Sequence, residues 1–133
     1  MSDLVKEWID KAEGDRQTAR REAAVTERPN WDAVCFHAQQ AVEKYLKALL
    51  QQEANAFTRT HDLGLLSRPL CVKYPDLAAH SDGLEWLAAF AVEVRYPGES
   101  ALEEDAKQSI VFMEEIIRVI ALKLSNPSGA SLS

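Results

Sequence analysis

The chain has 133 residues, 47% apolar and 27% charged, which suits one domain with its own core and no need for a disulfide or metal staple. No apolar run approaches the ~20 residues needed to cross a bilayer, and the opening Met-Ser-Asp-Leu-Val-Lys-Glu-Trp lacks a signal-peptide core. A net charge of −6 disfavours indiscriminate binding of nucleic acid, and Cys35 and Cys71, without a CxxC or a zinc-finger histidine, read as reduced thiols of a cytoplasmic protein.

The first predicted helix runs from Asp3 to about Val25, with Trp8, Ala12, Asp15 and Ala19 on one narrow stripe. Asp15 is the odd member, because a carboxylate in an apolar seam needs a partner once buried. Arg28-Pro29-Asn30 breaks the chain, with Asn30 as N-cap of a second helix from Trp31 to about Glu53. Val34, Ala38, Ala41, Val42, Tyr45 and Leu49 form its inward face, flanked by Cys35 and Leu46. Asn55 to Thr60 reads as a loop, and His61-Asp62-Leu63 opens a third helix that Arg68-Pro69 interrupts or kinks.

Tyr74-Pro75-Asp76 is a further break, followed by a helix from about Asp82 to Val94 on Leu84, Leu87, Ala88, Ala91 and Val94. Arg95-Tyr96-Pro97-Gly98 ends it, since the residue before proline leaves the helical region. Ser100-Ala-Leu-Glu103 has the form of a capping box for the last helix, which runs to about Leu124 on Leu102, Ala106, Ile110, Met113, Ile117, Ile120 and Leu124. The predicted fold is all-α, an antiparallel up-and-down bundle of four to five helices over residues 1–125, with 126–133 as a flexible tail.

The second helix carries the candidate chemistry. At ~100° per residue, His37, Gln40, Lys44 and Lys47 share an arc of roughly 80° opposite the apolar face. Two ammonium groups suit phosphate, and a carboxamide can donate and accept toward a base or sugar. The same residues admit a structural account. Glu43 and Lys47 form an i, i+4 pair worth ~0.2–0.5 kcal/mol on a solvated face, and Lys44 could neutralise Asp15. Arg95 and Tyr96 could add a guanidinium fork and a hydroxyl to a ligand site, or Arg95 could pair with Glu43. Imidazole beside carboxylate at His61-Asp62 lacks a third ligand, so His61 fits the capping or anchoring of the third helix, and no HxxxH or HxxE pair points to a metal. No glycine-rich phosphate loop is present, so no cofactor is expected.

Trp8, Ala12 and Asp15, then Phe36-His37-Ala38-Gln39-Gln40-Ala41-Val42-Glu43-Lys44-Tyr45-Leu46-Lys47-Ala48, Thr60-His61-Asp62-Leu63 and Arg95-Tyr96-Pro97 occur in this order. Together they resemble the HEPN family, small helical domains named for nucleotide binding in higher eukaryotes and prokaryotes. The resemblance implies a helical bundle that dimerises, and many bacterial members form a complex with a minimal nucleotidyltransferase in toxin–antitoxin-like pairs. A second branch consists of metal-independent RNA endonucleases marked by Arg, four to six residues, then His.

This sequence departs from that branch: Arg28 stands nine residues before His37, Arg59 two before His61, and Arg68 twelve before His80. The reading that follows is a non-catalytic nucleotide- or RNA-binding subunit, homodimeric and paired with a nucleotidyltransferase. The alternative is an RNA endonuclease with an atypical or dimer-composite site.

Overall fold

The computed structural model describes residues 1–93 and 97–125; Val94, Arg95, Tyr96 and the tail expected over 126–133 lie outside them. Six helices follow one another: α1 (Asp3–Ala23), α2 (Trp31–Gln52), α3 (Leu63–Lys73), α4 (Pro75–Ala78), α5 (Ser81–Glu93) and α6 (Glu103–Ser125). The fold is an all-α bundle, and no strand occurs among the described residues.

Local chemistry sets the helix starts. Ser2, Asn30 and Asp62 each sit in extended backbone and accept a hydrogen bond from an orphan N–H two or three residues into α1, α2 and α3. The sixth helix beyond the expected four or five is α4, a single turn nucleated by Pro75 at its first position, where a missing N–H costs nothing. Pro69 does not end α3, which continues to Lys73. The only helical bond it forfeits is to the carbonyl of Leu65, a residue on the exposed side, while Leu66 and Leu70 on the other side are buried and hold the helix down.

The start of α6 also differs from the expected capping box at Ser100. Asp32, in the first turn of α2, accepts the Ala101 N–H at 2.6 Å, which holds that stretch outside the helix. The helix then begins at Glu103, with the Asp105 carboxylate reaching back to the Leu102 N–H at 2.9 Å. Leu102 is consequently 59% exposed instead of part of the core, and Ile116 is buried in the packing face of α6.

Helix α2 is the central element, packed against α1, α3, α5 and α6. Its contacts with α6 run in the same direction at both ends, Asp32 with Ala101 and Gln52 with the Lys123 carbonyl at 3.1 Å. Helix α1 lies antiparallel to α2, its early residue Trp8 beside Lys47 and its later Asp15 beside His37. Ala12 and Ala19 of α1 and Ala38, Ala41 and Ala48 of α2 are fully buried. These small side chains let the two backbones approach closely enough for short polar side chains to meet across the seam.

Helix α5 meets α6 through Gly83, where a Cβ would lie 2.9 Å from the Phe112 ring. Trp86 stands edge-on to the same ring, with centroids 5.4 Å apart. Glycine to alanine in a helix interior ordinarily stabilises by about 0.5–1 kcal/mol. Here the ring is wedged, and overpacking at about 1–3 kcal/mol outweighs that gain. Gly83→Ala is therefore expected to lower the thermal midpoint, measured by circular dichroism; an unchanged or raised midpoint would mean that Phe112 yields freely.

Candidate functional site

Two carboxylates organise the polar arc of α2, and they do so in the same way. Asp15 of α1, with its side chain 12% exposed, meets His37 Nδ1 through Oδ1 at 2.8 Å and Lys44 through Oδ2. His37 and Lys44 are seven residues apart on α2, so one carboxylate clasps two turns of the neighbouring helix. Glu43 meets His61 Nδ1 through Oε1 at 2.9 Å and Lys47 through Oε2 at 3.0 Å. Each carboxylate thus gives one oxygen to an imidazole and the other to an ammonium group.

Glu43 is the more deeply placed, at 2% exposure. Burying an ionised carboxylate costs several kcal/mol unless its lone pairs are met. The amides of Gln39 and Gln40 approach Oε1 at 3.4 Å each, in addition to Lys47 and His61. Gln39 also donates to the backbone carbonyl of His61 at 3.2 Å, and its own oxygen accepts from Gln40 at 2.8 Å. The segment before α3 is therefore held on α2 through both the ring and the main chain of His61, and Asp62 caps α3 from there.

The imidazole geometry fixes a tautomer. A carboxylate accepts, so the Nδ1 that faces it carries the proton, and Nε2 is turned away from the carboxylate. The His61 side chain is 73% exposed and that of His37 is 29% exposed. Both rings are thus oriented from behind and presented outward, His61 far more openly. Phe36 stacks edge-on to His37 at 5.2 Å.

Lys47 does not reach solvent as the helical arc alone predicts. It is 7% exposed, paired with Glu43, and its ammonium lies 5.3 Å from the Trp8 ring of α1. The i, i+4 pair with Glu43 is present but buried, because α1 and the start of α3 cover the arc. Lys44 remains at the edge, 23% exposed, and is already neutralised by Asp15. The arc therefore carries little free positive charge. Arg95 and Tyr96, assigned to the same ligand site from sequence, lie outside the described residues.

A second network lies behind the first. Tyr45 donates to Glu13 at 2.5 Å, and Arg16 forms a two-pronged contact with Glu114 of α6 at 2.9 and 2.7 Å, joined by Arg20 at 2.8 Å. Burial and the Glu13 hydrogen bond both push the Tyr45 hydroxyl up, which keeps it a neutral donor. Hydrogen bonding from Arg16 holds the Glu114 carboxyl below the usual carboxylate range, against an opposing burial effect. None of these partners was named from sequence. The spacing of Glu13, Arg16 and Arg20 marks a charged face on α1, but nothing local to α6 points at Glu114.

Among the described residues no group of three histidine, cysteine or acidic side chains is placed to hold a metal. Burial pushes the Cys35 thiol up, which disfavours the thiolate, and both cysteines are free. Several concavities are lined by described residues, three of them as follows. One of about 490 Å³ beside His61 is lined by Asp62, Gly64, Glu85, Ala88 and Ala89. One of about 270 Å³ is apolar, around Leu50, Phe57, Leu65 and Pro69. One of about 380 Å³ lies by Arg28, Trp31 and Ser100.

The HEPN domain profile matches residues 5–124. A crystal structure of an archaeal HEPN homologue is similar to this chain, with a TM-score of 0.68 and 25% identity over 90% of this chain and 96% of that one. No curated protein matches. The chain belongs to the HEPN domain family, and that membership supports a nucleotide- or RNA-related role in general.

Two outcomes follow from the geometry. Glu43→Gln keeps the shape but strands the Lys47 ammonium in a buried position, and is expected to cost about 3 kcal/mol in urea unfolding. Adding Lys47→Met should recover part of that loss; additive effects of the two substitutions would show that they do not interact. Glu114 supplies the second outcome. Its folded-state pKa is depressed, so its contribution is present above the unfolded value of about 4.3 and is lost as pH falls through the folded value. The thermal-midpoint difference between wild type and Glu114→Gln should be open at pH 7 and close as pH falls below about 4.3; a constant difference would rule out this linkage.

Proposed function

We propose that this HEPN domain is a non-catalytic nucleotide- or RNA-binding and interaction subunit that works as a homodimer beside a minimal nucleotidyltransferase in a toxin–antitoxin-like pair. The observation that carries the reading is the HEPN match over residues 5–124 in a chain without the endonuclease spacing; Lys44 and Lys47 are each engaged by a carboxylate, which counts against a phosphate grip by this chain itself. With no Arg preceding a His at endonuclease spacing, the chain lacks the guanidinium–imidazole pair that would stabilise and protonate a scissile phosphodiester.

What the arc offers is hydrogen bonding. His37, Gln40 and the edge of Lys44 suit a base or sugar, Arg95 and Tyr96 complete the proposed ligand set, and Asp15, Glu43, His61 and Asp62 support it. Lys47 enters such a site only through Glu43, as part of its framework. The polyphosphate charge of a nucleotide would then be met by the partner chain.

A second reading has one specific observation in its favour. His37 and His61 each meet a carboxylate through Nδ1, the contact by which a general acid–base imidazole is held in one tautomer. A dimer-composite endonuclease site would use them.

Purified protein incubated with total RNA separates the readings. The interaction-subunit reading expects intact RNA, a dimer mass by light scattering, and recovery of a nucleotidyltransferase on affinity purification from the native host. RNA cleavage that His37→Ala and Arg95→Ala each abolish would replace it with the enzyme reading.

A further inference from the structure

The concavity beside His61 has a composition opposite to that of a phosphate site. Its volume, about 490 Å³, falls in the range of ligand pockets, and among the described residues its lining is His61, Asp62, Gly64, Glu85, Ala88 and Ala89, two carboxylates and no lysine or arginine. Glu85 is exposed and makes no ion pair or hydrogen bond among the described residues. Asp62 gives Oδ1 to the Leu65 N–H as the cap of α3, which leaves its second oxygen on the same rim. Ala88 and Ala89 from α5 and Gly64 from α3 make a floor without bulky side chains, and a Cβ at Gly64 would sit 3.3 Å from the Asp62 carboxylate. His61 stands at the edge, 73% exposed but fixed from behind by Glu43.

We propose that this groove is a docking site for an arginine- or lysine-bearing segment of a partner protein, the methylene stem lying on the Gly64–Ala88–Ala89 floor and the cationic head between Glu85 and Asp62. Charge complementarity selects the occupant. Two carboxylates repel a nucleotide phosphate, whereas long basic side chains bury their stems on apolar surface and keep the charged head at a polar rim. The outward Nε2 of His61 accepts a hydrogen bond from the same guanidinium or from the segment's backbone. The anchoring of His61 by Glu43 keeps the rim in place before the partner arrives, which lowers the ordering cost of binding. The inference rests on the reading of the chain as an interaction subunit and assigns the chemistry of the surface its partner touches.

The test titrates a fluorescein-labelled peptide of alternating arginine and glycine, and in parallel a labelled oligouridylate, against the full chain near physiological ionic strength, read by fluorescence anisotropy. Glu85→Gln should weaken the peptide about three- to fivefold, the size of one partly exposed ion pair. Ala89→Trp, a change at an exposed position that fills the groove, should weaken it at least as much. Glu104→Gln removes the same charge from an exposed position in the first turn of α6 and should leave the affinity unchanged. Equal losses in Glu85→Gln and Glu104→Gln would reduce the effect to diffuse charge and overturn the proposal. So would an unaltered affinity in Ala89→Trp, or oligouridylate binding that Ala89→Trp abolishes. Affinity purification keeps the two readings apart. A nucleotidyltransferase recovered by wild type and equally by Ala89→Trp overturns the groove while the subunit reading stands. If wild type recovers none, the subunit reading fails and the peptide titration alone decides the groove.

Discussion

The Glu43 carboxylate lies 2% exposed in the wall between α2 and the start of α3, and much of the site follows from the need to satisfy it. An unmet charge there would cost several kcal/mol, more than a marginally stable domain can absorb easily. Lys47 from the next turn, His61 from the following segment and the amides of Gln39 and Gln40 supply the donors. Because one donor comes from beyond the loop, meeting the charge also sets where α3 begins. Asp15 repeats the device between α1 and α2 with His37 and Lys44.

The functional consequence runs through charge. Two lysines on one helical arc suit either a phosphate grip or structural ion pairs. Here each ammonium has a carboxylate of its own, and Lys47 is largely buried against Trp8. What remains for recognition by hydrogen bonding is chiefly a pair of imidazoles held through Nδ1, since the Gln40 amide is turned to Gln39 and Glu43. The Arg16–Glu114 contact does a different job: it pins α1 to α6 across the bundle.

Helical periodicity carried most of the fold. The stripe of Trp8, Ala12, Asp15 and Ala19 and the inward face of α2 from Val34 to Leu49 fall where apolar spacing puts them, and the cap at Asn30 follows from side-chain chemistry three residues long; at α3 it is Asp62 that caps, while His61 anchors the segment on Glu43. The start of α6 was not legible, because it is decided by Asp32, about seventy residues away, taking the Ala101 N–H. The site divides in the same way. That Lys44 could meet Asp15 was one of two open accounts, since an ammonium and a carboxylate on facing helices have that choice. That Lys47 is buried was hidden, because a helical wheel shows which residues share a side but not which neighbour covers it. Glu114 was invisible for a similar reason: its partners Arg16 and Arg20 belong to a helix at the other end of the sequence.

The central claim is that carboxylates hold both imidazoles from behind and leave Nε2 facing outward. Long-range proton–nitrogen correlation spectra of uniformly nitrogen-15-labelled protein, recorded where the rings are neutral, report the tautomer of each histidine directly. The account predicts that His37 and His61 populate the Nδ1-protonated form, and that His61 departs from it in Glu43→Gln while His37 does not. A predominantly Nε2-protonated ring at both positions, as for free imidazole side chains in water, would contradict it.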